Sequence, residues 1–375
     1  MKKIKVCHLS TVHSKNDIRI FYKECRALAA AGYDVTYISQ GTHDEMIDGV
    51  RRLGTGRPAI RNKLKRMTIG GRDLIKMAFK EDSDIYHIHD SELLRHVDAL
   101  KRAGKIVIYD SHEHLPMQIL EKEWLPPYLR RLVSWVVGIY EIKKVKKVDL
   151  IIIVADKTYE RFAGMGIGLI KLENLPIFSE FSDIAIDYIK KGKLRKVCYS
   201  GTVWMERGLD TMCIAASGVE RCTLEIAGRI DHDDPEGFIK GIGDNIVYLD
   251  YLTRDGVVKL YEESIAGVCL FKPYPNNMID PPTKIYEYMA AGIPVIASDF
   301  KSISEVVEEY KCGICVDPLD INKIRQAMTY IIDNPKEAEN MGRNGRKAIK
   351  EKLNWEVHSQ ILLASYAKLM EKENG

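Results

Sequence analysis

The chain has 375 residues, too many for one ordinary domain and enough for two of about 180, each able to bury its own core. Hydrophobic residues make up 46% and charged residues 29%, which excludes a disordered or fibrous chain. A net charge of +3 is close to neutral and gives no reason to expect nucleic acid as a partner.

The chain opens Met1-Lys2-Lys3-Ile4 and enters a strand at once, with too short an apolar run for a secretory signal, so the expectation is a cytoplasmic protein. Short apolar runs at 4–9, 35–39, 85–88, 106–109 and 150–154 alternate with helical stretches at about 19–31, 61–80, 91–103, 127–147 and 156–166. Such alternation predicts a parallel sheet covered on both faces. Periodicity then fades around Asn174, Pro176 and Phe178. The pattern resumes with strands at 196–199, 222–227, 246–248, 267–270, 293–297 and 313–316, separated by helices near 207–217, 253–263, 283–291 and 303–310. The predicted organisation is a first Rossmann-like domain over 1–178, a linker over 179–194, a second Rossmann-like domain over 195–354 and a final helix over 355–375. The longest apolar run, 150–155, is far shorter than the roughly 20 residues of a spanning helix.

The eight cysteines are scattered in strand-like settings and read as buried reduced thiols. Cys312 and Cys315 have a redox-like spacing, but no second Cys pair or His cluster accompanies them.

In open parallel sheets ligands bind beyond the carboxyl ends of the strands, so chemistry is sought in those loops. After the first strand come Ser10, His13, Asp17, Arg19 and Glu24, which also read as a capped helix with an Asp17–Arg19 ion pair. His87, His89 and Asp90 follow the third strand, and Asp110, His112, Glu113 and His114 follow the fourth. His87 and His89 are read as facing opposite ways, and no helical two-histidine zinc spacing is present, so no metal is expected. Asp82/Asp84 and Asp231/Asp233 read as surface loop acids. In the second half, Gly201 and Thr202 lead to Arg207 and Gly208, a glycine turn with a cation that can take a phosphate. Gly228 and Arg229 close the next strand, and no Gly-x-Gly-x-x-Gly marks a dinucleotide site after the first. Between 280 and 297, Asp280 is read as a helix cap, Pro282, Thr283 and Lys284 as the first turn, and Gly292 as the stop before a strand. Glu287, two turns into that helix, can accept paired hydrogen bonds from ribose hydroxyls, or can be a solvated surface carboxylate.

Pro282, Lys284, Glu287, Tyr288, Ala290, Gly292, Pro294, Val295 and Ala297 resemble the Pro-x-Lys-x-x-Glu-Tyr-x-Ala-x-Gly-x-Pro-Val-x-Ala signature of the retaining glycosyltransferases of family four. The Asp17-x-Arg19-Ile-Phe-x-Lys23-Glu24 run resembles a subgroup of bacterial enzymes that build surface polysaccharides. The resemblance implies the GT-B architecture: two Rossmann-like domains facing a central cleft, with the last helix crossing back to the first domain and Trp355 and Tyr366 as packing residues. It implies a nucleotide-diphosphate sugar donor, with Glu287 on the ribose, Arg207 and Lys284 or Arg229 on the diphosphate, and Gly201, Thr202, Thr283 and Gly228 around it. It places His112 beside the donor sugar and Ser10, His13, Arg19, His89, Asp90 and Glu113 on the acceptor side. Two positions depart from the pattern: Ile279 stands where the family commonly has a second Glu, and Thr202 where it has an Arg.

The activity implied is retaining transfer of a sugar to a hydroxyl of a saccharide or lipid-linked acceptor, without an obligatory metal or other cofactor. Leaving-group oxygen would act as the base, and the protein would supply position and charge. The competing readings are a nucleotide-sugar epimerase of the same architecture and a non-catalytic scaffold subunit. Residues 51–80 carry ten Lys or Arg against one acid, Asp73, and with Trp124 and Trp135 they raise peripheral binding to an anionic membrane as a further expectation, against a null of a solvated basic face with tryptophans in the core.

Overall fold

A computed structural model describes residues 3–112, 114–120, 122, 125–154, 156–230 and 234–374. The expectations for Glu113, Trp124 and the Asp231/Asp233 pair lie outside the described residues. The chain divides into two compact units, Met1–Asn174 with His358–Gly375, and Leu175–Val357.

In the first unit the strands are β1 (Lys5–Leu9), β2 (Asp34–Ser39), β3 (Asp44–Ile47), β4 (Val50–Gly54), β5 (Ile85–Ile88), β6 (Ile106–Ser111), β7 (Leu150–Ile153) and β8 (Gly168–Lys171). They lie in the order β3-β4-β2-β1-β5-β6-β7-β8, all pairs parallel except β3 with β4. Strand order reverses between β1 and β5, and at such a switch point the two following loops diverge and leave a crevice. The sheet is buried on both faces because its central strands are near-continuous runs of Val, Ile, Leu and Tyr. The last helix, Trp355–Asn374, belongs to this unit from His358 onward and buries Leu362 and Tyr366.

The second unit contains β9 (Lys196–Ser200), β10 (Thr223–Ala227), β11 (Ile246–Tyr248), β12 (Ala266–Cys269), β13 (Val295–Ser298) and β14 (Gly313–Val316), in the order β11-β10-β9-β12-β13-β14 and wholly parallel. The switch point falls between β9 and β12. One face is packed by Leu209, Met212, Ile324 and Met328, the other by Tyr261, Ile285, Tyr288 and Ile303. Residues 179–194 carry the helix Tyr188–Leu194, whose buried Lys191 donates to the carbonyls of Tyr261 and Ser264 at 2.9 and 3.1 Å.

Local chemistry fixes the segment that carries the sequence signature. The helix Thr283–Ala290 starts after Pro282, the N-cap residue, whose missing N–H leaves nothing to satisfy and whose ring makes no capping hydrogen bond. It ends in a Schellman motif: Ile293 N donates to Tyr288 O and Gly292 N to Met289 O, both at 3.0 Å, with Gly292 at φ 69°. All eight cysteines are free thiols, seven of them buried.

Candidate functional site

Beyond the carboxyl end of β1, the loop Ser10–His13 is wound around one carboxylate. Asp90, after β5, accepts from Ser10 Oγ at 2.9 Å, Thr11 N at 2.6 Å and Val12 N at 3.2 Å, while His13 N donates to Ser10 Oγ at 2.9 Å. His13 Nδ1 lies 2.9 Å from Asp17, whose other oxygen caps the next helical segment, Ile18–Cys25, through Ile20 N. Asp17 therefore pairs with His13, correcting the expected ion pair with Arg19, because Arg19 turns inward. Its guanidinium clasps Asp110 at the end of β6 with Nε and Nη2 at 2.9 and 3.1 Å.

His112 follows Asp110 on the same strand end, with Nε2 3.2 Å from Asp110 Oδ2 and 3.1 Å from His89 Nδ1. A carboxylate can only accept, so the Asp110 contact places a proton on Nε2 and leaves Nδ1, which bonds nothing among the described residues, as an acceptor for a ligand hydroxyl. Behind this pair lies a buried layer of His8, His87 and Glu24. His8 Nδ1 meets His89 Nε2 at 2.9 Å, and His87 Nδ1 meets Tyr366 OH at 2.8 Å. The reading of His87 and His89 as facing opposite ways is overturned. Two positions along a strand is one full period, so both rings point to one face and stack 4.4 Å apart.

Electrostatics divide this layer sharply. Burial pushes the pKa values of His8 and His87 well below the usual imidazole value and that of His89 down to about 4, so these rings are neutral. Burial also raises Glu24 well above the carboxylate range, with the charge of Asp110 adding to it. For Asp110 burial acts the same way, but Arg19 and His112 outweigh it and hold the group ionised. Burial lowers His13, yet the hydrogen bond to Asp17 and the charge of Asp90 raise it overall, and Asp17 falls in turn to about 2. His13, whose charged form Asp17 and Asp90 favour, sits beside His112, ring centroids 4.8 Å apart. His8, Glu24, His87 and His89 bring ligand atoms within 4.8 Å of one another, as do His89, Asp110 and His112; both sets have the donor types that bind zinc. Of the expected acceptor-side residues, Ser10, Arg19, His89 and Asp90 are buried, while His13, like His112, keeps part of its surface exposed.

In the second unit the glycine loop after β9 presses on the one after β10. Gly201 and Gly228 both have φ above 110°, and a Cβ on Gly228 would stand 2.5 Å from Gly201 O. Arg207 lies over the Trp204 ring at 4.2 Å and donates to Thr202 O at 3.0 Å. The Arg229 carbonyl accepts from Val203 N at 2.9 Å, joining the two loops. From the helix Thr283–Ala290, Lys284 reaches in beneath Gly201. Its ammonium lies 3.5 Å from the Tyr199 ring centroid and has no hydrogen-bond partner among the described residues. Burial, aided by the nearby charge of Arg207, lowers its pKa to about 7. One turn on, Glu287 is fixed by Arg254 at 2.8 Å and Tyr261 OH at 3.1 Å. Arg254 is itself anchored on Glu180 at 2.7 Å, and Tyr261 on Ser200 at the end of β9. Each oxygen of Glu287 keeps a lone pair for a further donor.

Sequence reading listed Asp110 after the fourth strand without giving it a role, and did not single out His8, Glu180, Arg254 or Tyr261. His8 hides in an apolar strand, and the other three are ordinary charged or aromatic residues of helical segments. Only Asp110, at a strand end beside a histidine, carried a usable signal.

Two family models match adjacent halves of the chain: glycosyltransferase family 4 over residues 19–173 and glycosyl transferases group 1 over 182–348. A GDP-mannose-dependent alpha-(1-6)-phosphatidylinositol monomannoside mannosyltransferase of Mycobacterium tuberculosis is 23% identical over 234 residues, 56% of this chain and 59% of that protein. Matches to curated relatives span from 20% to 59% of those relatives' lengths. Among solved structures, sucrose-phosphate synthase from Thermosynechococcus elongatus aligns with a TM-score of 0.78 at 18% identity, covering 99% of this chain and 100% of that one. An Anabaena protein in complex with UDP-glucose aligns at 0.69 and 13% identity, covering 97% and 100%. The architecture is GT-B, as the sequence resemblance implied.

Proposed function

The chain belongs to the family 4, group 1 glycosyltransferases, and from that premise we propose that it transfers a sugar, with retention, from a nucleoside diphosphate to an acceptor hydroxyl. The bond from the anomeric carbon to the diphosphate oxygen breaks, a bond to the acceptor oxygen forms on the same face, and the acceptor proton passes to the leaving phosphate. The observation that carries this reading is Lys284: a buried ammonium with no hydrogen-bond partner among the described residues, held under the Gly201 loop, beside a carboxylate locked in place by Arg254 and Tyr261. An unpaired buried cation is costly, and a diphosphate is the ligand that would neutralise it.

In this reading Lys284 and Arg207 bind the diphosphate, with Gly201, Thr202, Gly228 and Arg229 shaping the loops around it and Thr283 beginning the helix at its edge. Glu287 takes the ribose hydroxyls. His112 accepts from a hydroxyl of the donor sugar through Nδ1, oriented by Asp110 and His89, and His13 lies beside it, open to an acceptor group. The similar proteins point to two donor classes, since one is named GDP-mannose-dependent and another was solved with UDP-glucose.

Calorimetric titration of UDP, GDP, ADP and their sugar conjugates into wild type and Glu287→Ala tests this. Selective binding to wild type that the variant loses identifies the base and supports the ribose contact. Absence of binding by every nucleotide to folded protein would leave the scaffold reading in its place.

A further inference from the structure

The helix Pro127–Val145 in the first unit joins the core at its C-terminal end, where Val145 is buried and Ile142 packs beside it. Its other buried side chains are polar or small: Ser134 donates to Pro116 O at 2.7 Å, Glu141 is held by Arg161 at 2.9 Å and Tyr109 OH at 3.1 Å, and Gly138 is close-packed by Pro116 and Arg161. Its outward side is apolar. Tyr128, Leu132, Trp135, Val136 and Ile139, at spacings that fall on one helical face, are 78, 55, 65, 50 and 49% exposed. A water-facing helix normally shows the reverse arrangement, and an apolar stripe of this extent marks an interaction surface. It also overturns the null of a core position for Trp135.

The same face carries exposed Arg131, Lys143 and Lys146, which have no ion pair among the described residues, while the helix's one acid, Glu141, points inward. Near its C-terminal end lies a shallow depression lined by Lys101, Arg102, Lys147 and Asp98. We propose that this face docks on an anionic lipid bilayer, the helix lying in the plane of the headgroup boundary with its stripe turned toward the acyl chains. Charge complementarity selects a bilayer over a second copy of the chain. Lysines are depleted from the centres of protein interfaces, whereas on an interfacial helix they reach outward to lipid phosphates while Trp and Tyr sit at the boundary. No helix among the described residues is long and apolar enough to cross a membrane, so the contact is peripheral. This goes beyond the transferase reading and does not depend on it; if both hold, the acceptor is one presented at the bilayer surface.

The test is co-sedimentation of the full chain with vesicles of phosphatidylcholine, with and without phosphatidylglycerol, at low and high salt. Wild type is expected to pellet with the anionic vesicles and to be released by salt. Arg131→Gln/Lys143→Gln/Lys146→Gln is expected to lose ~10²-fold in partitioning at low salt, from about 1 kcal/mol per surface cation. Leu132→Ser/Trp135→Ser should fail to pellet at either salt concentration. Because these side chains are exposed, circular dichroism melts should match wild type and exclude misfolding. Wild type that stays in solution, variants that pellet like wild type, or a wild-type dimer that Leu132→Ser/Trp135→Ser dissociates while vesicles are ignored, would each overturn the proposal. Nucleotide titration of the same samples reports separately on the donor reading.

Discussion

At Lys284 a single amine couples stability, charge and the proposed donor contact. With a free-state pKa of about 7, it is largely neutral above that pH, and an arriving diphosphate would raise the value by favouring the ammonium. Nucleotide binding should then take up a proton above pH 7, and affinity should fall as pH rises, by up to about tenfold per unit, until the bound-state pKa is passed. Calorimetry in buffers of different ionisation enthalpy measures that proton, and Lys284→Met should abolish it. The same substitution replaces a buried amine that makes no hydrogen bond among the described residues with an apolar chain of similar length, so thermal melts should show it to be more stable, by ~1–3 kcal/mol, while it binds nucleotide less well. The histidine layer makes an opposite kind of demand. His8, His87 and His89 have folded pKa values below that of a free imidazole, so the unfolded chain binds more protons as pH drops. The histidines' contribution to stability is therefore full above about pH 6.5 and lost as pH falls through the interval down to about 4, where His89 titrates; Glu24, raised by burial, opposes it with the smaller weight of one group against three. Melting temperatures across that interval should decline, and His8→Leu should flatten the decline by up to about one proton per molecule.

At the level of elements, the glycines at chain reversals are what the backbone cannot replace. Gly292 sits at φ 69° in a Schellman turn with side chains near it, so Gly292→Ala should cost ~1–2 kcal/mol. Gly228→Ala should cost more, because the added carbon would meet the Gly201 carbonyl at 2.5 Å, a backbone atom that cannot swing aside. Urea midpoints rank the two, and the reverse order would mean that the loops relax apart. Elements with strong periodicity were legible in the sequence, including the helix before Gly292 and the core strands of both sheets. The β3–β4 hairpin was missed although Asp48-Gly49, both at positive φ, is the dipeptide such a tight turn requires. Helices Ile321–Asp333 and Pro335–Glu351 were also not predicted. The second is mostly polar, and its buried positions include Gly342 and Gly345, small residues that carry no hydrophobic signal.

At the level of the whole molecule, the first unit is completed by a segment that follows the second in sequence. Tyr366 is fully buried and bonded to His87, so removing residues 358–375 should leave that histidine without its phenol and open the first unit to protease. Nucleotide binding, assigned above to the second unit, should survive the truncation. Limited proteolysis with parallel calorimetry separates these outcomes, and unchanged protease resistance would show that the helix adds little to the unit.

By itself the sequence determined the alternation of strand and helix, the glycine stops and the residues at strand ends. Each depends on contacts within a turn or two, where side-chain period and backbone conformation suffice. What only the tertiary structure decided was which charges meet. Ser10 and Asp90 are 80 residues apart, Arg19 and Asp110 are 91 apart, and His87 and Tyr366 are 279 apart. Their encounters depend on strand order in the sheet and on where the last helix docks. Whether Arg19 faces Asp17 or Asp110, and whether Trp135 faces core or solvent, is fixed by packing on those distant elements, and local pattern cannot encode it.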